Sequence, residues 1–366
     1  MALLSLSLPR SAVHSLPERR HVVMAGLVLG LFAVVLLSLG LGAVRIPVGD
    51  AVAVLAEGLG LSAAKSVPDQ LRLVLLHIRL PRTLLAALAG AGLAVSGAAL
   101  QGLFRNPLAD PGLIGVSSGA ALAAATTIVF GGMLFSGLPP ELLPYLLPLG
   151  AFGGGLIAVL LAYRLASGHG QTDVATLLLA GVALNAIAGA GIGLLIFASD
   201  DQQLRDLNFW MLGSVAGANW SALLPALAFL VLPLLALPFL GRALNALLLG
   251  ETEAAHLGFR VERAKKFILL LAALATGAAV ALCGVIGFVG LVVPHLVRLV
   301  AGPDHRFLLP ASALLGAALL LLADLLARTL VLPAELPIGI VTSCVGGPFF
   351  LWMLLRQRAR GGGALC

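Results

Sequence analysis

The sequence predicts an all-α polytopic membrane protein of about ten transmembrane helices. Three observations carry the prediction. Of 366 residues, 60% are hydrophobic and 10% are charged, whereas a soluble globular domain carries about 25% charged residues. The mean hydropathy is +1.09. Apolar runs of about 20 residues, long enough to cross a bilayer core as helices that satisfy their own backbone hydrogen bonds, recur along the chain. No separate soluble domain of useful size fits between them.

In order, spans are expected at 21–43, 83–104, 112–131, 142–165, 174–198, 219–240, 265–284, a short 286–300, 307–328 and 337–355. One transmembrane domain then covers 21–356, with tails at 1–20 and 357–366. The first tail, with Arg10, Arg19 and Arg20, reads as retained rather than as a signal peptide, because the apolar run after it is too long and lacks a small-residue cleavage site. Between the first two spans, 44–82 reads as a loop unusually rich in charge, within which 48–58 forms a short helix lying on the surface. Only Arg45, Lys65, Arg72, Arg79, Arg82, Arg205 and Arg328 fall on one side of this topology; the other fifteen of the 22 basic residues fall on the other. Basic residues mark the cytoplasmic side, so both termini are expected there.

The longest polar interruption, Gly241 to Lys266, lies on that cytoplasmic side. It carries five basic residues (Arg242, Arg260, Arg263, Lys265, Lys266) and three acidic ones (Glu251, Glu253, Glu262). It has room for two short helices hinged near Gly250, with Leu244, Leu247 and Leu248 on one face. This much amphipathic content exceeds what a linker needs, and residues 241–264 read as a docking surface. The chain has no Gly-x-x-x-x-Gly-Lys-Ser/Thr phosphate loop, so any ATPase that powers it is another chain.

Other features exclude other classes. The pI of about 9.9 does not argue for nucleic acid, because the basic residues are scattered among short loops. Cys283, Cys344 and Cys366 lack CxxC spacing, so neither a metal nor a disulfide is expected. Gly115-Val-Ser-Ser-Gly119 has the spacing of a nucleophile elbow but opens a membrane helix, so its hydroxyls are expected to cap or pack rather than catalyse. An ion-coupled secondary transporter would place ionisable residues in mid-span, and this chain has few. Asp324 and Arg328 are one helical turn apart and are expected to pair. Asp200 to Gly213 reads as a short amphipathic helix between spans, with Trp210 at the interface or at the mouth of a pathway. The turn Pro333-Ala-Glu-Leu-Pro337 is expected to start the last span, and Gly346-Gly-Pro348 to break it. GxxxG spacing at Gly26/Gly30, Gly189/Gly193 and Gly213/Gly217 predicts close helix packing.

Several stretches together resemble the permease subunit of ATP-binding-cassette importers for iron-siderophores, haem and vitamin B12. They are Ile78-Arg-Leu-Pro-Arg82, Gly97 to Gly102, Arg105 to Pro111 with Gly115 to Gly119, Phe209 to Ser214, Leu249 to Gly258, Gly284 to His295 and Glu335 to Gly339. The resemblance spans nearly the whole chain from about residue 45 and implies a type II importer bundle that pairs as a homodimer in a bacterial inner membrane. It implies two ATPase subunits docked on Leu249, Gly250, Glu251, Glu253, Ala254, His256, Leu257 and Gly258. ATP and Mg2+ would be used by those subunits, with no cofactor bound by this chain. It also implies a periplasmic binding protein received by Arg79, Arg82 and Arg328. Asp201 to Trp210 looks most like the haem-importing branch, ahead of ferric-siderophore and cobalamin permeases. There Arg205 suits propionates, and Phe209 and Trp210 suit a flat macrocycle.

Overall fold

The computed structural model describes residues 10–42, 44–58, 60, 67–168 and 170–359. Residues 1–9 and 360–366 of the two expected tails, and Lys65, lie outside the described residues. The chain is built almost wholly of helices, in the order α1 (Arg10–Gly40), α2 (Val48–Gly58), α3 (Asp69–Leu103), α4 (Val116–Leu134), α5 (Leu143–Ala166), α6 (Val174–Ala198), α7 (Asp201–Leu212), α8 (Trp220–Ala236), α9 (Gly241–Leu249), α10 (Glu251–His256), α11 (Val261–Cys283), α12 (Val289–Ala301), α13 (His305–Ala327) and α14 (Ile338–Ala359). A two-residue hairpin, β1 (Ser167–Gly168) and β2 (Gln171–Thr172), joins α5 to α6. Among the described residues nine helical stretches are long and apolar enough to cross a membrane, and α12 is a shorter apolar helix. Together they account for the ten expected spans.

Helix starts follow from short polar side chains. Asp173 accepts from Thr176 N before α6, Asn219 from Ala222 N before α8, and Asp304 from Arg306 N before α13. Asp200 and Gln203 form a reciprocal capping box before α7. Each such cap satisfies backbone donors that the helix leaves free, worth about 1 kcal/mol.

The bundle is organised around α3, buried almost continuously from Ala89 to Leu103. It packs chiefly on α13 and α11, then on α12 and α8. The α3–α13 crossing is close because Gly90 faces Gly316, where a Cβ on either residue would strike the other's backbone. In lipid, where apolar side chains gain nothing by leaving the solvent, such backbone approach supplies the packing energy. A second group, α4, α5 and α6, packs on itself and joins the first through α11.

Four expectations are corrected. Residues 69–82 are helix and not loop, since α3 begins at Asp69 and passes through a π-helical segment at Val74–Arg79. The wider π turn accompanies a carbonyl, that of Leu76, which accepts a 2.8 Å hydrogen bond from Trp220 Nε1 at the start of α8. Gly346-Gly-Pro348 does not break the last span, because α14 continues through Pro348. The helix of the sixth span does not stop at 240; a 3-10 turn at Leu237–Leu240 carries it into α9. Finally, Gly26, Gly30, Gly189, Gly193 and Gly217 meet nothing within 4 Å of a would-be Cβ, so of the three GxxxG pairs Gly213 alone packs closely among the described residues.

Candidate functional site

The island occupies one end of the bundle. Its two helices, α9 and α10, meet at Gly250, whose φ of +126° is accessible to glycine and strained for other residues. Helix α9 buries Ala243, Leu244, Ala246 and Leu247 against the bundle. Asn245 fixes its direction: Nδ2 donates to Asp304 Oδ1 at 2.7 Å, and Oδ1 accepts from His305 N at 2.9 Å. Asp304 also receives Arg20 at 3.1 Å and Arg306 at 3.0 Å. Burial opposes ionisation there, but hydrogen bonds from Arg306 and Asn245 prevail and hold the Asp304 carboxyl well below the usual range. One aspartate thus ties α1, the α12–α13 turn and the island together.

Helix α10 presents a mixed face. Leu249, Glu253, His256, Leu257 and Gly258 are exposed, and Gly250 is half-exposed. Ala254 is buried. Glu251 is turned inward, its Oε2 taking Lys265 Nζ at 2.5 Å. Lys265, which the sequence reading left without a role, is enclosed, with 2% of its side chain exposed. It also donates to Thr172 O at 2.8 Å and to Glu262 Oε1 at 3.0 Å. The i, i+3 spacing of Glu262 and Lys265 was available to sequence; the partnership with Glu251 and Thr172 was not.

The opposite end carries a buried charge cluster. Arg79, Arg82 and Arg328, expected on an outward rim, are only 4%, 8% and 6% exposed. Arg82 Nη2 lies 2.8 Å from Asp324 Oδ1. Its Nη1 and Nη2 also grip Glu335 Oε1 and Oε2 at 3.0 and 2.9 Å, the paired geometry that a guanidinium offers a carboxylate. Arg328 Nε sits 3.5 Å from Asp324 Oδ2, so the expected pair is present but is the weaker of the two. Arg328 Nη2 donates to Ser38 O at 2.7 Å. Arg79 donates to Leu39 O at 2.5 Å and also to Val44 O. The cluster therefore staples the ends of α1, α3 and α13. Enclosing arginines is costly unless their charges and donors are met; carboxylates meet Arg82 and carbonyls meet Arg79, while Arg328 Nε and Asp324 Oδ2 are buried without a hydrogen-bond partner.

Beside the cluster lies a junction of three glycines, each from a stretch picked out by sequence. Gly213 ends α7, Gly284 ends α11 and Gly339 lies in the first turn of α14. A Cβ on Gly284 would overlap Trp210 O, one on Gly213 would sit 2.6 Å from Val285 O, and one on Gly339 would overlap Leu212 O. Ser214 N donates to Cys283 O at 2.7 Å, and Ile338 N to Gly213 O at 2.9 Å. The helix expected over Asp200 to Gly213 is thereby seated on the break between α11 and α12. On α7, Arg205 is exposed and donates to Gln202 Oε1 at 2.9 Å. Phe209 is exposed, while Trp210 is half-buried and, like Val285, packs against the cluster of Ala120, Ala124 and Val280. Elsewhere, Ser118 donates to Gly115 O at 3.1 Å and pairs with Asn185 Oδ1 at 2.5 Å, and His295 packs edge-on against Phe349.

An apolar ten-helix bundle, with an amphipathic island at one end and a charge-stapled junction at the other, defines a polytopic membrane permease. The chain belongs to the FecCD transport family, which matches residues 30–356. It is 55% identical over 300 residues to the hemin transport system permease HmuU of Yersinia pestis, covering 81% of this chain and 88% of that one. It is 44% identical over 294 residues to the cobalamin import permease BtuC of Halobacterium salinarum, covering 80% and 76%. A solved structure described as an inward-facing conformation of a metal-chelate type ABC transporter superposes with a TM-score of 0.78 at 34% identity, covering 92% of this chain and 99% of that one. The protein is thus the permease of a bacterial ATP-binding-cassette importer, a multi-pass protein of the inner membrane whose ATPase is a separate subunit.

Proposed function

We propose that this permease moves haem from periplasm to cytoplasm by alternating access. The observation that supports haem over vitamin B12 is the 55% identity to a hemin permease against 44% to a cobalamin permease, over similar lengths. The exposed pair Arg205 and Phe209 on α7 suits a flat anionic macrocycle. The test is reconstitution with the ATPase and binding protein of the same transporter. Haem-loaded binding protein should stimulate ATP hydrolysis; stimulation by the cobalamin-loaded or ferric-siderophore-loaded form alone overturns the assignment.

The surfaces that the chain leaves open support our reading of the rest of the assembly. Two ATPase subunits dock on the island through Leu249, Glu253, His256 and Leu257, and with the island the two termini lie in the cytoplasm. A second copy of the chain packs on α6, where Ala175, Leu179, Val182, Ala186, Gly189 and Gly193 are all exposed. Their alternating spacings of four and three residues are those of a helix seam, and the small residues allow backbones to approach. At the periplasmic end the binding protein engages Arg82. Glu335, with 40% of its side chain exposed, holds that guanidinium in the place a partner's carboxylate would take.

A further inference from the structure

We infer that Lys265 is a positioning residue for transport: it carries movement of the island to the hairpin that leads into α6. The inference rests on the reading that the ATPase docks on the island. Lys265 lies on α11, and its three N–H donors are all engaged, by Glu251 of α10, Glu262 of its own helix and the Thr172 carbonyl of β2. Glu262 completes the ring, since its Oε2 accepts from Thr172 N at 3.0 Å. Thr172 is therefore held through both its backbone groups, and it directly precedes Asp173, the cap of α6. Helix α10 otherwise packs on α9 and α11. The ammonium thus ties α10 directly to the α5–α6 hairpin, beside the Glu262–Thr172 contact from α11.

The chemistry makes this tie stiff. With Lys265 enclosed to 2% exposure, its ammonium is met by Glu251, Glu262 and the Thr172 carbonyl. If α10 moved away alone, the cation would lose the 2.5 Å contact with Glu251 and one of its two carboxylates. The lower-energy response is for Lys265, Glu262 and Thr172 to follow, carrying the cytoplasmic end of α6. A merely structural salt bridge would hold the local fold without passing on any movement.

Hydrogen–deuterium exchange on the complete transporter in lipid nanodiscs separates the two. The complex of permease and its own ATPase subunits is compared without nucleotide and with ATP and Mg2+ trapped by a hydrolysis-deficient ATPase. In the unaltered permease, trapping should change exchange both at island amides 251–256 and at amides 171–177. In Lys265→Met the island change should persist and the change at 171–177 should be lost; Lys265→Arg should restore it. An equal nucleotide-dependent change at 171–177 in Lys265→Met overturns the inference. A merely structural role would raise exchange there in both states and leave the difference intact. If Lys265→Met does not fold, Glu251→Gln applies the same criterion from the half-exposed partner. An unaltered permease whose island does not respond to trapping overturns the docking reading, and the inference with it.

Discussion

Arg82 and Asp324, 242 positions apart, meet at 2.8 Å with the carboxylate 1% exposed. The contact closes the end of the α3–α13 crossing that Gly90 and Gly316 begin. Arg328 Nε lies 3.5 Å from the same carboxylate, so one negative charge is shared between two arginines.

Removing that carboxylate should be severe. Asp324→Ala leaves Arg82 with Glu335 alone and Arg328 with no acidic partner, and breaking a buried pair from one side costs about 3–5 kcal/mol. Thermal unfolding in detergent should show a large fall in midpoint. The double change Arg82→Met with Asp324→Leu should be less damaging than the sum of its single changes, since it strands fewer charges.

Glu335→Gln should behave differently. This side chain is partly exposed and Arg82 keeps Asp324, so losing the pair should cost less than losing Asp324. Freed of its internal partner, Arg82 should bind the acidic binding protein more tightly, and more so at low salt, where surface charges are least screened. Surface plasmon resonance at two ionic strengths would measure this; weaker or unchanged binding counts against docking at Arg82.

The glycine junction makes a prediction that separates strain from overlap. Gly284→Ala meets both a φ of +69° and the Trp210 carbonyl. It should cost about 2–4 kcal/mol. Gly339→Ala meets the Leu212 carbonyl without the unfavourable φ and should cost less, about 1–3 kcal/mol. Equal stability of both variants and the parent in the same melt would contradict the packing described.

Acidification should weaken the island's attachment. The Asp304 carboxyl lies lower in the fold than its unfolded value of about 3.9, so its contribution is complete above about pH 5 and is lost as pH falls toward the folded value. Arg20 and Arg306 face it and stay charged throughout. Unfolding measured from about pH 3 to 7 should show a fall below about pH 5 that is smaller in Asp304→Asn.

Much of this architecture was legible because hydropathy alone sets where helices cross. The expected 174–198 coincides with α6, and the hinge at Gly250 was readable from the break in amphipathic pattern. The stretch 69–82 was misread for a physical reason: Arg72, Arg79 and Arg82 look like solvent-facing charge until Asp324 and Glu335, far along the chain, are brought beside Arg82. The pairing of Glu251 with Lys265 was not legible either, since nothing local announces the partner. GxxxG spacing finds stripes of small residues but not what faces them, and Gly189 and Gly193 face outward.

The junction of Gly213, Gly284 and Gly339 has a mechanical consequence. Where these backbones cross, the closest atoms are main-chain carbonyls, which have no rotamer to change and no proton to titrate. Small rotations of α7 against α11 and α14 are therefore resisted by backbone torsion and two main-chain hydrogen bonds, not by an interlocked set of side chains. Such a contact holds the three segments at a separation set by main chain alone, which no change of side-chain packing can widen or narrow.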